Sequence, residues 1–234
     1  MQLFLNTELD NSFKQFFFTP EESRHIVKVL RKVAGDKLEI TNGRGSVFTA
    51  KILLADPKKC KAQIESEEKK IPRLYHLHLA VAPTKMNDRF EWFLEKATEI
   101  GVDQITPLLC ERSERKTIKP ERYERIVQSA TKQSYQAFLP KLNPLTTFDE
   151  FINSEIEGLK FIAHCDEGEK LELKRCVAPD KDIVILIGPE GDFSPVEIKK
   201  SIDIGFRPVA LGKNRLRTET AAIVACHTVA LVNS

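Results

Sequence analysis

Two glycine-bearing loops stand close together near the end of the chain. The first is Ile185–Glu197, ILIGPEGDFSPVE, and the second is Ala210–Ala225, ALGKNRLRTETAAIVA. Gly188, Gly191 and Gly212 let main chain come near a ligand with no Cβ in the way. Glu190 brings a carboxylate into the first loop; Arg217 and Glu219 bring a permanent cation and a second carboxylate into the second. The two loops together predict one pocket lined largely by main-chain groups. Neither G-x-x-x-x-G-K-[ST] nor G-x-G-x-x-G occurs, so the usual phosphate and dinucleotide cradles are excluded. His25, His164 and His227 are candidate bases by residue type alone, and His227, set among alanines and valines, reads as a core residue. Glu190 reads as a cap for the following helix rather than as a base. No carboxylate–histidine cluster points to a metal. The five cysteines, at 60, 110, 165, 176 and 226, form no C-x-x-C pair, which argues for neither zinc nor disulfides and for a reducing compartment.

These loops need elements to hold them. Ser194-Pro195-Val196-Glu197 is a capping box with proline at the first helical position, so a helix starts there and runs to Gly205. Before it, DIVILI is an almost uninterrupted apolar run, as for a strand buried on both faces of a parallel sheet. RPVAL is the next strand, and TETAAIVACHTVALV the last helix. From Leu74 onward strands (LYHLHLAVA, QITPLLC, LKFIAHC) alternate with helices. RFEWFLEKATEIG turns Phe90, Phe93, Leu94 and Ala97 inward and ends at Gly101. ERYERIVQSATKQSYQAF buries Tyr123, Ile126, Val127, Ala130 and Ala137. That alternation predicts an α/β domain over 74–234 with a mainly parallel sheet, whose ligands bind at the strands' carboxyl ends.

Residues 1–68 read differently. DKLEIT and SVFTAKILLA are strands about an NGRG turn, and KCKAQIES is the next. Glu67–Arg73, charged and carrying a proline, reads as a linker. Written as one helix, Arg24, Lys28, Arg31 and Lys32 share a face, opposite an apolar stripe of Ile26, Val29, Leu30 and Val33. Such a cationic face suits nucleic-acid phosphates or plain solvent. A second basic stretch is Arg112–Arg125.

The chain has 234 residues, 41% hydrophobic and 30% charged, enough for one large or two small domains. A net charge of +2 is too small to argue for nucleic acid by itself. No apolar run approaches the roughly 20 residues that span a bilayer. The start has neither a basic region nor a long apolar one, so no secretory signal is read and the cytoplasm is expected.

LIGPEGDFSPVE, LG…LRTETA, EKATEIGVDQITPL, RSER and HIVKVLRKVAGDKLEITNGRG together resemble the ribosomal small subunit methyltransferase E family of the SPOUT superfamily, over nearly the whole chain. The resemblance implies an N-terminal PUA-like β-barrel and a C-terminal α/β domain ending in a deep trefoil knot. It implies S-adenosylmethionine as cofactor, N3 of a uridine in 16S ribosomal RNA of the small subunit as acceptor, and a homodimer. Carried over position by position, Ile187, Gly188, Glu190, Gly191, Leu211, Gly212 and Leu216 line the cofactor site. Arg217 is the expected catalytic cation, acting on the uracil, with pairing to Glu219 as the alternative. Arg24, Lys28, Arg31, Lys32 and Arg112 are the expected RNA contacts. One departure stands out: KQSYQ, Lys132–Gln136, replaces a family pattern that ends in arginine, and Gln136 cannot supply that charge. Two other classes fit the residues, a non-catalytic RNA-binding assembly factor and a small-molecule α/β enzyme.

Overall fold

The computed structural model describes every residue except Met1 and Asn11, and the chain divides into two compact units. The first comprises residues 1–72 and 131–139. Its strands are β1 (Leu3–Leu5), β2 (Gln15–Phe17), β3 (Lys37–Thr41), β4 (Ser46–Leu54) and β5 (Lys61–Lys69). They pair in the order β1-β3-β4-β5-β2 as a curled half-barrel, with β1–β3 parallel and the others antiparallel. Alternating side chains such as Ile40, Phe48, Ala50 and Ile52 face inward onto Phe4, Phe16, Phe18 and Ile26. The NGRG turn closes because Asn42 Oδ1 accepts the N–H groups of Arg44 (2.9 Å) and Ser46 (3.1 Å), while Gly43 and Gly45 take positive φ. β5 extends to Lys69, so the first part of the expected linker is strand.

The single helix expected over residues 24–33 is not formed. Helix α1 (Pro20–Arg24), capped by the Thr19 hydroxyl, passes into one π-turn, His25–Val29, and stops. Arg31 is left-handed at φ 55°, and the Lys32 N–H closes back on the Ile26 carbonyl at 3.1 Å. The apolar stripe breaks as a result: Ile26 is buried, but Val29 and Val33 are 64% and 61% exposed. Arg24 and Lys28 lie exposed on the helical piece, Arg31 lies past its end, and Lys32 is half-buried.

The second unit comprises residues 73–130 and 140–234. In chain order it contains β6 (Leu77–Val81), α2 (Asn87–Ile100), β7 (Gln104–Leu109), most of α3 (Pro120–Gln133), β8 (Lys141–Leu142), β9 (Thr146–Thr147), α4 (Phe148–Ile152), β10 (Leu159–Ala163), β11 (Leu171–Glu172), α5 (Leu173–Cys176), β12 (Ile183–Ile187), α6 (Pro195–Asp203), β13 (Arg207–Ala210) and α7 (Thr218–Val232). The sheet order is β11-β13-β10-β12-β6-β7-β8, every pairing is parallel, and β9 also pairs with β7. All five β12 residues are buried, as their apolar run requires at the middle of a covered sheet. α2 buries Phe90, Phe93, Leu94 and Ala97 and ends on left-handed Gly101 at φ 112°. α3 stops at Gln133 instead of continuing to Phe138: Tyr135 is left-handed at φ 59°, and residues 131–139 join the first unit, where the Thr41 hydroxyl donates to the Ala137 carbonyl. Among the described residues no helix is long and apolar enough to cross a membrane.

Candidate functional site

The strand order decides what the glycine loops can form. β10 lies between β12 and β13, so the two loops are not on adjacent strands. A third loop, residues 164–170 after β10, stands between them. The three carboxyl ends line one groove with two lobes, of about 470 Å³ and 280 Å³, which share Ala163, Cys165, Arg215, Leu216 and Ala221. Leu211, Gly212, Val209 and His164 line the larger lobe; Ile187, Gly188, Glu190 and Arg217 line the smaller. Gly191 lines neither. A Cβ there would lie 3.2 Å from the Arg112 Cβ, so its smallness serves that packing. Gly212 differs: its φ is 148°, and a Cβ would meet no atom within 4 Å. The larger cavity of about 510 Å³, lined by His76, His78 and Asp182, sits at the strands' amino ends, the wrong edge for a site in such a sheet.

The first glycine loop is braced from several sides. Ser194 and Glu197 form the expected capping box at α6, with Pro195 at its start. Glu197 is buried, and its second oxygen accepts the Glu111 N–H at 2.8 Å, which ties the loop after β7 to the start of α6. Arg112 donates to the carbonyls of Gly191 (3.1 Å) and Phe193 (3.4 Å). The Asp192 carboxylate accepts the Cys165 N–H at 2.7 Å, joining the loops after β12 and β10. The Thr218 hydroxyl donates to the Gly188 carbonyl at 3.1 Å, joining the last helix to the same loop.

Glu190 does not cap α6. It turns the other way and accepts the Lys85 N–H at 2.9 Å through Oε1, and Arg115 holds the Thr84 and Lys85 carbonyls beside it. Glu190 Oε2 is shut off from solvent with no partner among the described residues. The only other buried side-chain polar atoms there in that condition are both ring nitrogens of His164. All three belong to residues that line the groove. Buried polar groups without partners are costly, and their collection in one groove marks a place where a ligand completes them.

Arg217 precedes the first turn of α7 and is exposed; its carbonyl accepts the Ala221 N–H at 2.7 Å, but its guanidinium has no hydrogen bond or ion pair among the described residues. It does not pair with Glu219. That carboxylate is buried and faces Arg89, 3.9 Å away. His227 is exposed on α7 rather than packed in the core, and His25 bonds Gln2 and packs edge-on against Phe4 in the first unit. Sequence reasoning missed His164 and Cys165 as lining residues. The only available signal was that a polar pair follows the LKFIA strand, and its meaning depends on a strand order that spacing does not reveal.

A family model described as an RNA methyltransferase domain matches residues 70–230, and one described as an RNA methyltransferase PUA domain matches residues 18–65. The ribosomal RNA small subunit methyltransferase E of Buchnera aphidicola subsp. Acyrthosiphon pisum is 36% identical over 96% of this chain and 90% of its own. Among solved structures, a "probable rRNA-methyltransferase" of Porphyromonas gingivalis superposes with a TM-score of 0.92 at 40% identity, covering 100% of this chain and 98% of its own. The ribosomal RNA small subunit methyltransferase E of Neisseria gonorrhoeae, bound to S-adenosyl methionine, superposes with a TM-score of 0.84 at 27% identity, covering 97% and 95%.

Proposed function

Because the chain belongs to the ribosomal RNA small subunit methyltransferase E family, we propose that it methylates N3 of a uridine in 16S ribosomal RNA, with S-adenosylmethionine as donor. The groove is the observation that carries this reading. Its walls are apolar (Ile187, Leu211, Leu216) with main chain bare at Gly212, which suits an adenosine, whereas a Cβ at Gly188 would press on the Phe193 ring at 3.0 Å, so that glycine serves the loop's packing. The unpartnered Glu190 oxygen offers a counter-charge to a cationic ligand. The residues therefore fit the cofactor, and Gly191 serves it indirectly, by seating Arg112 on the loop.

Bound S-adenosylmethionine supplies a methyl group already activated on a sulfonium. The chain's own task concerns the acceptor. Uracil N3 carries a proton and is a poor nucleophile until that proton leaves. Arg217, unpaired at the smaller lobe, stabilises negative charge on the uracil O2 or O4 as it develops. Holding the ring and the donor together supplies the rest by orientation. Arg24, Lys28, Arg31 and Lys32 contact RNA phosphates, which position the substrate without reading its bases. Arg112 is already engaged by two carbonyls and acts chiefly as a brace.

The substrate is taken within the small subunit, in the cytoplasm, by a homodimer. The outer face of α7 supports the dimer: His227 and Leu231, one turn apart, are both exposed, Leu231 to 64%. The bond from Thr218 to the Gly188 loop supports the knot that the resemblance implies. Transfer of labelled methyl from S-adenosylmethionine to 16S RNA, offered naked and as small subunits, tests the reading. No incorporation into either form would overturn it.

A further inference from the structure

His164 is the side chain whose placement the fold explains least. Both of its ring nitrogens are shut from solvent without a partner, although the residue lines the larger lobe. Its main chain is fixed: its carbonyl accepts Lys170 Nζ at 2.9 Å, and the following N–H is held by Asp192. Only the ring is free to turn, about the soft Cβ–Cγ torsion. Burial, and then Lys170, hold its pKa below the ordinary value of 6.5, against the opposite pull of Asp192 and Asp166. Lys213 and Arg215 line the same lobe from the loop after β13. The imidazole is therefore neutral near pH 7, with one donor and one acceptor. The lobe around it, formed with Val209, Leu211, Leu216 and Ala221, is walled for a flat apolar group, while the unpartnered carboxylate lies in the other lobe.

We propose that His164 is a specificity residue for the adenine base. On cofactor binding its ring turns toward the groove, and one nitrogen accepts a hydrogen bond from the adenine exocyclic amino group. This rests on the cofactor reading above. A neutral ring is required, because an imidazolium cannot accept; the bond is lost as pH falls through the His164 pKa, and with it part of the affinity.

Calorimetry with S-adenosylhomocysteine and S-inosylhomocysteine, whose base carries a carbonyl in place of the amino group, tests this on the full chain. The wild-type protein is expected to bind the adenosyl ligand about 10-fold more tightly, and to lose affinity as pH falls below 6.5. His164→Phe is expected to bind both ligands alike, with no such pH dependence. Should that variant not fold, the His164 ring protons of the wild-type protein decide by NMR: adding S-adenosylhomocysteine should lower the pKa they report. A variant that keeps the preference and the pH profile, or a ring titration that the ligand leaves unmoved, overturns the assignment. If the wild-type protein binds neither ligand, the cofactor reading falls and this inference falls with it.

Discussion

Removing the Glu197 carboxylate should loosen the groove without touching it. Glu197 is 6% exposed, and its oxygens accept two main-chain N–H groups at 2.8 Å each, from Ser194 and Glu111. Hydrogen bonds to a charged acceptor contribute about 1.5–3 kcal/mol apiece, so Glu197→Ala should cost roughly 3–6 kcal/mol. The upper end requires both donors to stay dry; Glu111 is partly open to water, which favours the lower end. At roughly 2–4 °C per kcal/mol for a chain of this size, the melting temperature should fall by about 6–12 °C at that lower end. Glu197→Gln keeps one acceptor oxygen and should lose about half as much. Because Glu197 fixes the start of α6, and with it the far end of the Gly188 loop, cofactor affinity should fall in the same order, Ala more than Gln. Thermal denaturation with and without S-adenosylmethionine measures both effects. A melting temperature within 2 °C of wild type for the alanine variant would refute the reasoning.

Arg217→Ala should leave cofactor affinity within about threefold while single-turnover methyl transfer falls on the order of 100-fold, the usual loss for one transition-state donor; wild-type rates would remove Arg217 from the chemistry. Gly212→Val should abolish cofactor binding by filling the groove, yet destabilise the fold by only about 1–3 kcal/mol, the cost of a side chain at φ 148° where no protein atom opposes it; calorimetry and melting curves separate the two. Exchanging both Arg24 and Lys28 for glutamine should weaken RNA binding and flatten its salt dependence by about two units of slope, with transfer at saturating RNA unchanged. His78 is pushed down to about 4, first by burial and then by His76 and Lys141. The unfolded chain therefore binds a proton that the native chain refuses, and stability should fall as pH drops from 6.5 to 4, by at most about 3 kcal/mol; His78→Gln should flatten that arm of the pH–stability curve.

Much of the scaffold is legible because local chemistry dictates it. The β12 run can only be a strand covered on both faces, and Ser194-Pro195-Val196-Glu197 satisfies its own N–H groups wherever it is placed. The features that escape the sequence depend on distant partners. Glu190 looks like a helix cap until Lys85 is folded against it. The basic helix looks continuous until Arg31 turns left-handed, after which Val29 and Val33 face solvent. α3 looks five residues longer until Tyr135 ends it and residues 131–139 are taken into the first unit. His227 looks buried because its neighbours are apolar, but it lies exposed on α7. The candidate site shows the same division. Six of the seven expected cofactor residues line the groove: Ile187, Gly188, Glu190, Leu211 and Gly212 lie at or just past a strand end that their own motif marks, and Leu216 precedes the last helix. His164 is not legible as a lining residue, because only the sheet order places β10 between β12 and β13.

The most direct test of the account identifies the methylated atom. Small subunits that lack the modification, incubated with the protein and S-adenosylmethionine, should yield 3-methyluridine when the 16S RNA is digested to nucleosides and analysed by mass spectrometry, and Arg217→Ala should suppress that product alone. A methyl group on carbon 5, on a ribose oxygen or on another base would contradict the account, because none of those transfers passes through the N3 anion of uracil.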